Sequence, residues 1–328
     1  MPDHVRIQDV MDTIRRLHVG TEADEALREQ IDRLLRRNEE GDLLPEPVRV
    51  GRTAETRGIL FVDAAGAGKT TAVSRALEKH PALGGADGEA TAFLAATVPT
   101  EPTLKAMAIK LLQEADYPNR SSGAKLERTR RTSFQLFDHL RELMDRNGQI
   151  VLWIDEAHDL MARDPEQILR AVKSLMQDDK SVIVILSGTE RLGELIRSDP
   201  QVQRRFTIVA PDPLSVATDR ERLLDILDHY CERTSLGRIE DETVVPRLLV
   251  AARDRFGRAI EMMQGAVEQA MMEEADTLDL WHFALAWGMR EGTDRETNPF
   301  VVDDWARIDP DAQPEEPVVK KKRTRRKK

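Results

Sequence analysis

Residues Gly58 to Val73 read GILFVDAAGAGKTTAV: a short apolar run breaks into a loop of small residues and then into a helix-like pattern. The order strand, small-residue loop, helix is that of a phosphate cradle. Gly66, Ala67 and Gly68 carry almost no side chain, so their backbone N–H groups can converge on an anion. Lys69 then reaches the β- and γ-phosphates of a nucleotide, and Thr70, followed by Thr71, offers a hydroxyl to Mg²⁺. The helix opening at Lys69 adds its positive dipole end. One position departs from the pattern. In G-x-x-x-x-G-K-[ST] the first glycine falls on Asp63, and a carboxylate there has to point away from the phosphates.

The second chemical motif is IVLWIDEAHDL, Ile150 to Leu160. An apolar strand ending in Asp155-Glu156 presents one carboxylate to the water shell of Mg²⁺ and a second, one residue later, toward the γ-phosphate, where Glu156 polarises the attacking water. His158 suggests a DEAH-type helicase, but that reading requires a second ATPase-like half, and the residues after 215 carry amphipathic helical patterns only. His158 is therefore read as a helix-start residue. In VIVILSGTERL the next strand ends in Ser187 and Thr189, either of which can hold the lytic water or sense the γ-phosphate. Thr189 is the first choice and Ser187 the second. SDPQVQRRFTIV places Arg204 and Arg205 before a strand at the domain edge, as a solvated edge or as a finger reaching a neighbouring subunit's nucleotide.

Short strands alternate with helices from Gly58 on, which predicts an α/β fold with a parallel sheet covered on both faces. The expected strands are Ile59–Val62, Thr91–Ala96, Ile150–Ile154, Val182–Leu186 and Thr207–Val209, with covering helices over Leu104–Ala115 and Thr132–Met144. Four domains follow: an N-terminal helical extension over 1–50, with Thr21 as an N-cap, a nucleotide-binding domain over 51–215, a small helical lid over 216–290, and a disordered tail over 291–328. The lid rests on four helical patterns, the third of which opens FGRAIEMM and puts Arg258 in a first turn, where an arginine needs an anion to repay it.

Charge separates body from tail. The chain of 328 residues has a formal net charge of −10, yet its last nine residues, KKKRTRRKK, carry eight positive charges, so that −10 less +8 leaves −18 on the rest. An acidic body excludes a protein that coats nucleic acid with its whole surface but leaves room for one basic stripe. YPNRSSGAKLERTRR supplies it: Arg120, Lys125, Arg128, Arg130 and Arg131 stand against a lone Glu127. A solvated loop and a surface that tracks DNA phosphates both fit that stretch. No apolar run is long enough for a membrane span and MPDHVRIQDV lacks a secretory pattern, so a cytoplasmic protein without a membrane partner is expected. The single cysteine, Cys231, excludes an internal disulfide, and no histidine stands at metal-ligand spacing from it or from another histidine.

With GAGKTT, IDEAH, SGTERL, DPQVQRRF and FGRA in this order, the chain resembles the AAA+ ATPases and, within them, the TniB/TnsC-type ATPases of DDE transposons, over roughly residues 10–290. The resemblance implies that Lys69, Thr70 and Asp155 bind Mg-ATP, that Glu156 is the catalytic glutamate, Thr189 sensor 1, Arg205 the arginine finger and Arg258 sensor 2. It further implies a homo-oligomer, ring or helical filament, with nucleotide at subunit interfaces. Such oligomers bind duplex DNA without strong sequence preference and pass a target to a DDE transposase, with a target-selection adaptor as a further partner. A DNA-loading ATPase of the replication-initiator or clamp-loader kind, and an ATP-driven signalling switch that never touches DNA, are the competing readings.

Overall fold

In a computed structural model the chain is described over residues 3–84, 91–115, 131–162, 164–292 and 295–311. It divides into two compact units. The first comprises His18–Pro213 together with Arg255–Gly257; the second comprises the described residues of Met1–Leu17, Leu214–Asp254 and the chain from Arg258 on.

Alternation of side chains builds the first unit. Strands β3 (Gly58–Val62), β4 (Phe93–Thr97), β5 (Val151–Asp155), β6 (Ile183–Gly188) and β7 (Phe206–Val209) form one sheet in the order β4-β5-β6-β3-β7. Every pairing is parallel. Successive residues of a strand face opposite sides, so both faces must be covered. Leu60, Val62, Leu152, Ile154, Val184 and Leu186 belong to one buried cluster, which holds residues of α4 (Leu104–Ala115), α5 (Ser133–Arg146), α6 (Ala157–Met161), α7 (Pro165–Leu175), α8 (Glu190–Arg197) and α9 (Pro200–Gln203). Their neighbours Ile59, Phe61, Val151, Trp153, Ile183 and Ile185 belong to the other, with Leu27 and Ile31 of α2 (Glu22–Leu34) and Val73 and Leu77 of α3 (Lys69–Glu78). Truncating one of these fully buried leucines to alanine costs about 2–5 kcal/mol.

The predicted strands and covering helices are present, Leu104–Ala115 with the expected bounds and the others shifted by a residue or two at their ends. Thr21 caps α2 as expected, in a capping box with Asp24. The N-terminal extension is organised differently from the expectation of one block over 1–50. α1 (His4–Arg15) lies in the second unit, where it contacts α10 (Val216–Thr234) and Arg15 bonds Glu268 at 2.7 Å, whereas α2 packs under the sheet. Residues 35–47 form a hairpin, β1 (Leu35–Arg37) against β2 (Leu43–Pro47), in which Pro45 and Pro47 are tolerated because a two-stranded ribbon has free edges.

The second unit also holds α10, α11 (Val244–Ala252), α12 (Phe256–Met272, from Arg258 on) and α13 (Leu280–Glu291), at the four predicted helical patterns. Tyr230, Met262, Met263, Phe283 and Trp287 are buried there. Burial also pushes the Cys231 thiol up to about 11, as befits a structural cysteine. The expectation of disorder from Glu291 is corrected for the described residues up to 311. Phe300 is buried with its ring 5.2 Å from that of Phe283, Asn298 donates to the Ala284 carbonyl, and Arg247 donates to the carbonyls of Pro299 and Val302. Two anchoring side chains and an arginine hold the segment without any apolar period. The basic end, 312–328, lies outside the described residues.

Candidate active site

Parallel strands end together, and β3, β5 and β6 end at Val62, Asp155 and Gly188, with Val62 opposite Gly188 in register and Ile154 opposite Leu186. Ligands of open α/β sheets bind at this carboxyl edge. The loop from Asp63 to Gly68 leaves β3 here and turns into α3. Gly66 and Gly68 have φ of 75° and 92°, a left-handed backbone that side chains rarely adopt, which is the physical demand behind two of the glycines in the motif. α3 starts at Lys69 with no acidic residue in its first turn, so its N-terminal N–H groups and dipole stay open to an anion.

Lys69 is buried and its Nζ donates to the Ala64 carbonyl at 2.8 Å, folding the ammonium over the loop it would share with phosphates. Thr70 Oγ1 donates to Asp155 Oδ2 at 2.6 Å. Asp155 Oδ1 in turn accepts from Ser187 Oγ at 2.6 Å, and Ser187 accepts from Trp153 Nε1 at 2.8 Å. Ser187 is fully buried. The structure therefore brings Ser187, rather than Thr189, to Asp155. Thr189 sits half-buried at the N-cap of α8 with no capping bond from its side chain.

Glu156 follows in a left-handed conformation, φ 56° and ψ 35°, with a side chain 39% exposed. A non-glycine residue in that region costs of order 1–3 kcal/mol and persists where its surroundings impose it. His158 Nδ1 lies 3.4 Å from Glu156 Oε2, and a Cβ at Gly188 would come within 3.0 Å of that same nitrogen. Gly188 thus leaves the room in which the His158 ring sits beside the glutamate.

An oxygen-only pair, Thr70 hydroxyl and Asp155 carboxylate, fits Mg²⁺, which keeps several waters and takes one or two protein ligands beside substrate phosphates. Among the described residues no group of three His, Cys, Asp or Glu side chains could form a cage for a metal of its own.

At the far side of the sheet unit, Arg205 is only 2% exposed. Its guanidinium donates to Glu55 Oε1 at 2.6 Å and to the Gln201 carbonyl at 2.8 Å. Arg205, the finger by resemblance, is thus paired within its own subunit here. Arg204, 61% exposed and 3.5 Å from Glu55 Oε2, is the arginine that faces out. Burial works to raise the Glu55 carboxyl, but the two guanidiniums carry it below the usual range. Arg258 lies in the second unit, its guanidinium held below its ordinary value by burial first and by Arg253 next, with Asp311 and Glu291 acting the other way. Of the predicted DNA-contacting residues only Arg131 is described, half-buried ahead of α5; Arg120, Lys125, Arg128 and Arg130 lie outside the described residues. Arg255 escaped the sequence reading altogether: its Nη1 donates to Asp63 Oδ1 at 3.0 Å and its Nη2 to Glu190 Oε1 at 3.1 Å.

Comparison with known proteins agrees with this layout. The family model described as "Bacterial TniB protein" matches residues 30–214. The chain belongs to the TniB family. Solved structures share its fold at low identity. They include the Aeropyrum pernix ORC2 protein in ADPNP–ADP complexes, at 16% identity and a TM-score of 0.53, covering 85% of this chain and 69% of that one. The Aeropyrum pernix ORC1 protein in complex with DNA follows at 18% identity and 0.53, with 88% and 69% covered. A Walker-type ATPase of Pyrococcus abyssi reaches 0.54 at 14% identity, with 85% and 73% covered. A search of curated proteins returned no match. The TniB chain thus has the AAA+ P-loop fold, a five-stranded parallel sheet followed by a helical C-terminal region. Among its described residues no helix is long and apolar enough to cross a membrane.

Proposed function

We propose that this TniB protein is an ATPase that assembles on duplex DNA in its ATP-bound form and hands that DNA to a DDE transposase. The observation that carries the nucleotide half is the meeting of Thr70 and Asp155 at 2.6 Å, behind a loop with Gly66 and Gly68 in the left-handed region and Lys69 buried over it. Lys69 neutralises phosphate charge in the ground state. Thr70 and Asp155 would hold Mg²⁺, with Ser187 and Trp153 fixing the carboxylate, and the ion would supply charge stabilisation there when bound. Glu156 takes the proton of the attacking water, and Thr189 helps to orient it. Arg204, from a neighbouring subunit, adds a cation beside the developing charge, and the family resemblance gives Arg258 the role of sensor 2.

Membership of the TniB family supports the transposition half, and the charge pattern supports the DNA half. Five basic residues against one acid, Arg120 to Arg131, give an otherwise acidic body one place favourable to phosphate, and stacked subunits would repeat it along a groove. The target-selection adaptor and a ring or filament of subunits belong to the same proposal.

Nucleotide binding and hydrolysis are separable in the test. Lys69→Ala abolishes ATP binding, whereas Glu156→Gln binds ATP and stalls, because Glu156 acts only during reaction. Equal ATP affinity in wild type and Lys69→Ala would sink the assignment. For DNA, anisotropy across a salt series should give binding that needs ATP, weakens steeply with salt and varies little with sequence. Charge removal at Lys125 and Arg128 flattens the salt slope, and deletion of 320–328 lowers affinity modestly. Binding indifferent to nucleotide, or lost entirely with the tail, would leave a basic tether on an ATPase switch.

A further inference from the structure

Asp63 stands where the loop pattern has glycine, and it is only 6% exposed. An ionised carboxylate at the mouth of a phosphate loop opposes the ligand through a short, poorly screened distance. Its surroundings answer that problem in detail. Oδ1 accepts from the backbone N–H of Ala64 at 2.7 Å and from Arg255 Nη1 at 3.0 Å, while Arg255 Nη2 reaches Glu190 Oε1, at the start of α8, at 3.1 Å. Two residues on, Gly257 backs onto the crown of the same loop: a Cβ there would lie 2.6 Å from the Gly66 carbonyl oxygen and 2.7 Å from the Ala67 carbonyl carbon. No side chain fits in that space. Arg255–Gly257 belong to the same compact unit as the loop, and touch it at its first residue and at its crown.

We propose that Arg255 is a positioning residue for nucleotide binding, which turns Asp63 away from the phosphates and cancels its charge, with Gly257 seating the crown of the loop. The inference rests on the ATP reading above and deepens it, since it explains how this chain accommodates a carboxylate at that position. Arg255 acts through Asp63 and touches no phosphate. Burial pushes the Asp63 carboxyl above its ordinary value even with the guanidinium beside it, in keeping with a site poorly reached by water. The fork is held at both ends, by Asp63 and by Glu190, so a lysine, with a point charge on a flexible stem, replaces it incompletely.

A double-mutant cycle on the full-length protein tests this. The affinity for a fluorescent, non-hydrolysable ATP analogue with Mg²⁺ is titrated for wild type, Arg255→Gln, Asp63→Asn and the double variant. Arg255→Gln should weaken binding on the order of tenfold when Asp63 is present and less than about twofold in the Asp63→Asn background, because the carboxylate it compensates is gone. Turnover per bound nucleotide at saturation should stay level between Arg255→Gln and wild type, so that KM moves and kcat does not. A purely structural role would lower affinity alike in both backgrounds, as would a direct contact with nucleotide, and either result overturns the proposal. Thermal melts check that each variant folds. If Arg255→Gln does not, the same cycle is run with Arg255→Lys, which keeps the charge and should show a smaller loss that also disappears with Asp63→Asn. A wild-type chain that binds no nucleotide would instead defeat the ATP reading itself.

Discussion

Two buried carboxylates flank the end of β6, Asp155 closing β5 and Asp63 following β3, and they are held in opposite ways. Asp155 is 4% exposed and its hydrogen bonds come from hydroxyls, Ser187 on one oxygen and Thr70 on the other. Asp63 is 6% exposed and shares one oxygen between a backbone N–H and the Arg255 guanidinium. Hydroxyls orient a carboxylate and leave its charge in place; a guanidinium cancels it. A buried charge without a cation is expensive unless something brings one. On the proposed function Asp155 is the carboxylate that would receive a metal, while Asp63, with its charge already met, would stay out of the way. Glu55 is a third carboxylate, of the second kind, paired with Arg205 and Arg204.

The strongest way to break the comparison is to neutralise each carboxylate. Asp155→Asn should reduce hydrolysis on the order of a thousandfold and raise the Mg²⁺ concentration needed for half-maximal rate, since several kcal/mol of charge stabilisation pass through that ligand. Asp63→Asn should change nucleotide affinity and leave the Mg²⁺ requirement where it was. Rate measurements across a Mg²⁺ series decide it, and a shift of that requirement in Asp63→Asn would mean that the two carboxylates share one role.

The arginine edge comes next. Arg205→Ala leaves Glu55, in a mostly buried site, with the exposed Arg204 as its remaining cation, and should cost about 2–4 kcal/mol in urea unfolding, somewhat under the loss for a wholly unpaired buried charge. Arg204→Ala removes an exposed partner and should cost under about 1 kcal/mol. Mixing Arg204→Ala subunits with Glu156→Gln subunits should then restore hydrolysis at the interfaces where both intact residues meet. If recovery is seen only with Arg205→Ala, the finger is the buried arginine and must leave Glu55 to act.

Much of this arrangement is legible in the sequence, and what is not has an identifiable cause. The five sheet strands are apolar runs bounded by turn residues, and Leu104–Ala115 is read to the residue because its apolar spacing is unbroken. The β1–β2 hairpin is missed because its strands are short and one carries two prolines. Ser187 and Thr189 are equivalent as text; only the Trp153 and Asp155 bonds to Ser187 separate them. Arg255 lies 192 residues from Asp63, and no local pattern announces a contact at that separation. The segment at Phe300 packs through single anchors that leave no period to read.

A smaller effect sharpens the hydroxyl side. Ser187→Ala removes a donor to an ionised carboxylate and leaves the Trp153 N–H without its partner, in a site closed to water. Urea unfolding should show a loss of about 2–3 kcal/mol. Half-maximal Mg²⁺ should rise by about tenfold or more, because the carboxylate loses an orienting group. A stability loss with an unchanged Mg²⁺ requirement would make Ser187 a packing residue only.

The smallest effects are in the pH dependence of stability, where Glu55 and Asp63 should pull in opposite directions. The folded state holds Glu55 below its ordinary value of 4.5, so the unfolded chain binds the proton more tightly. Its contribution is present above pH 4.5 and is lost as pH falls through the lowered folded value. Asp63 is held above its ordinary value of 3.8, chiefly by burial. Here the folded state binds the proton more tightly, so the contribution is full below 3.8 and is lost as pH rises through the raised value. Glu55→Gln should therefore flatten a positive slope of stability against pH just below 4.5, and Asp63→Asn a negative slope just above 3.8. Urea midpoints from pH 3 to pH 7 for wild type and both variants give the two slopes directly. An Asp63→Asn profile parallel to wild type throughout would mean that Arg255 compensates the carboxylate fully. Burial and the guanidinium would then balance at the loop, whereas at Glu55 the guanidiniums outweigh burial.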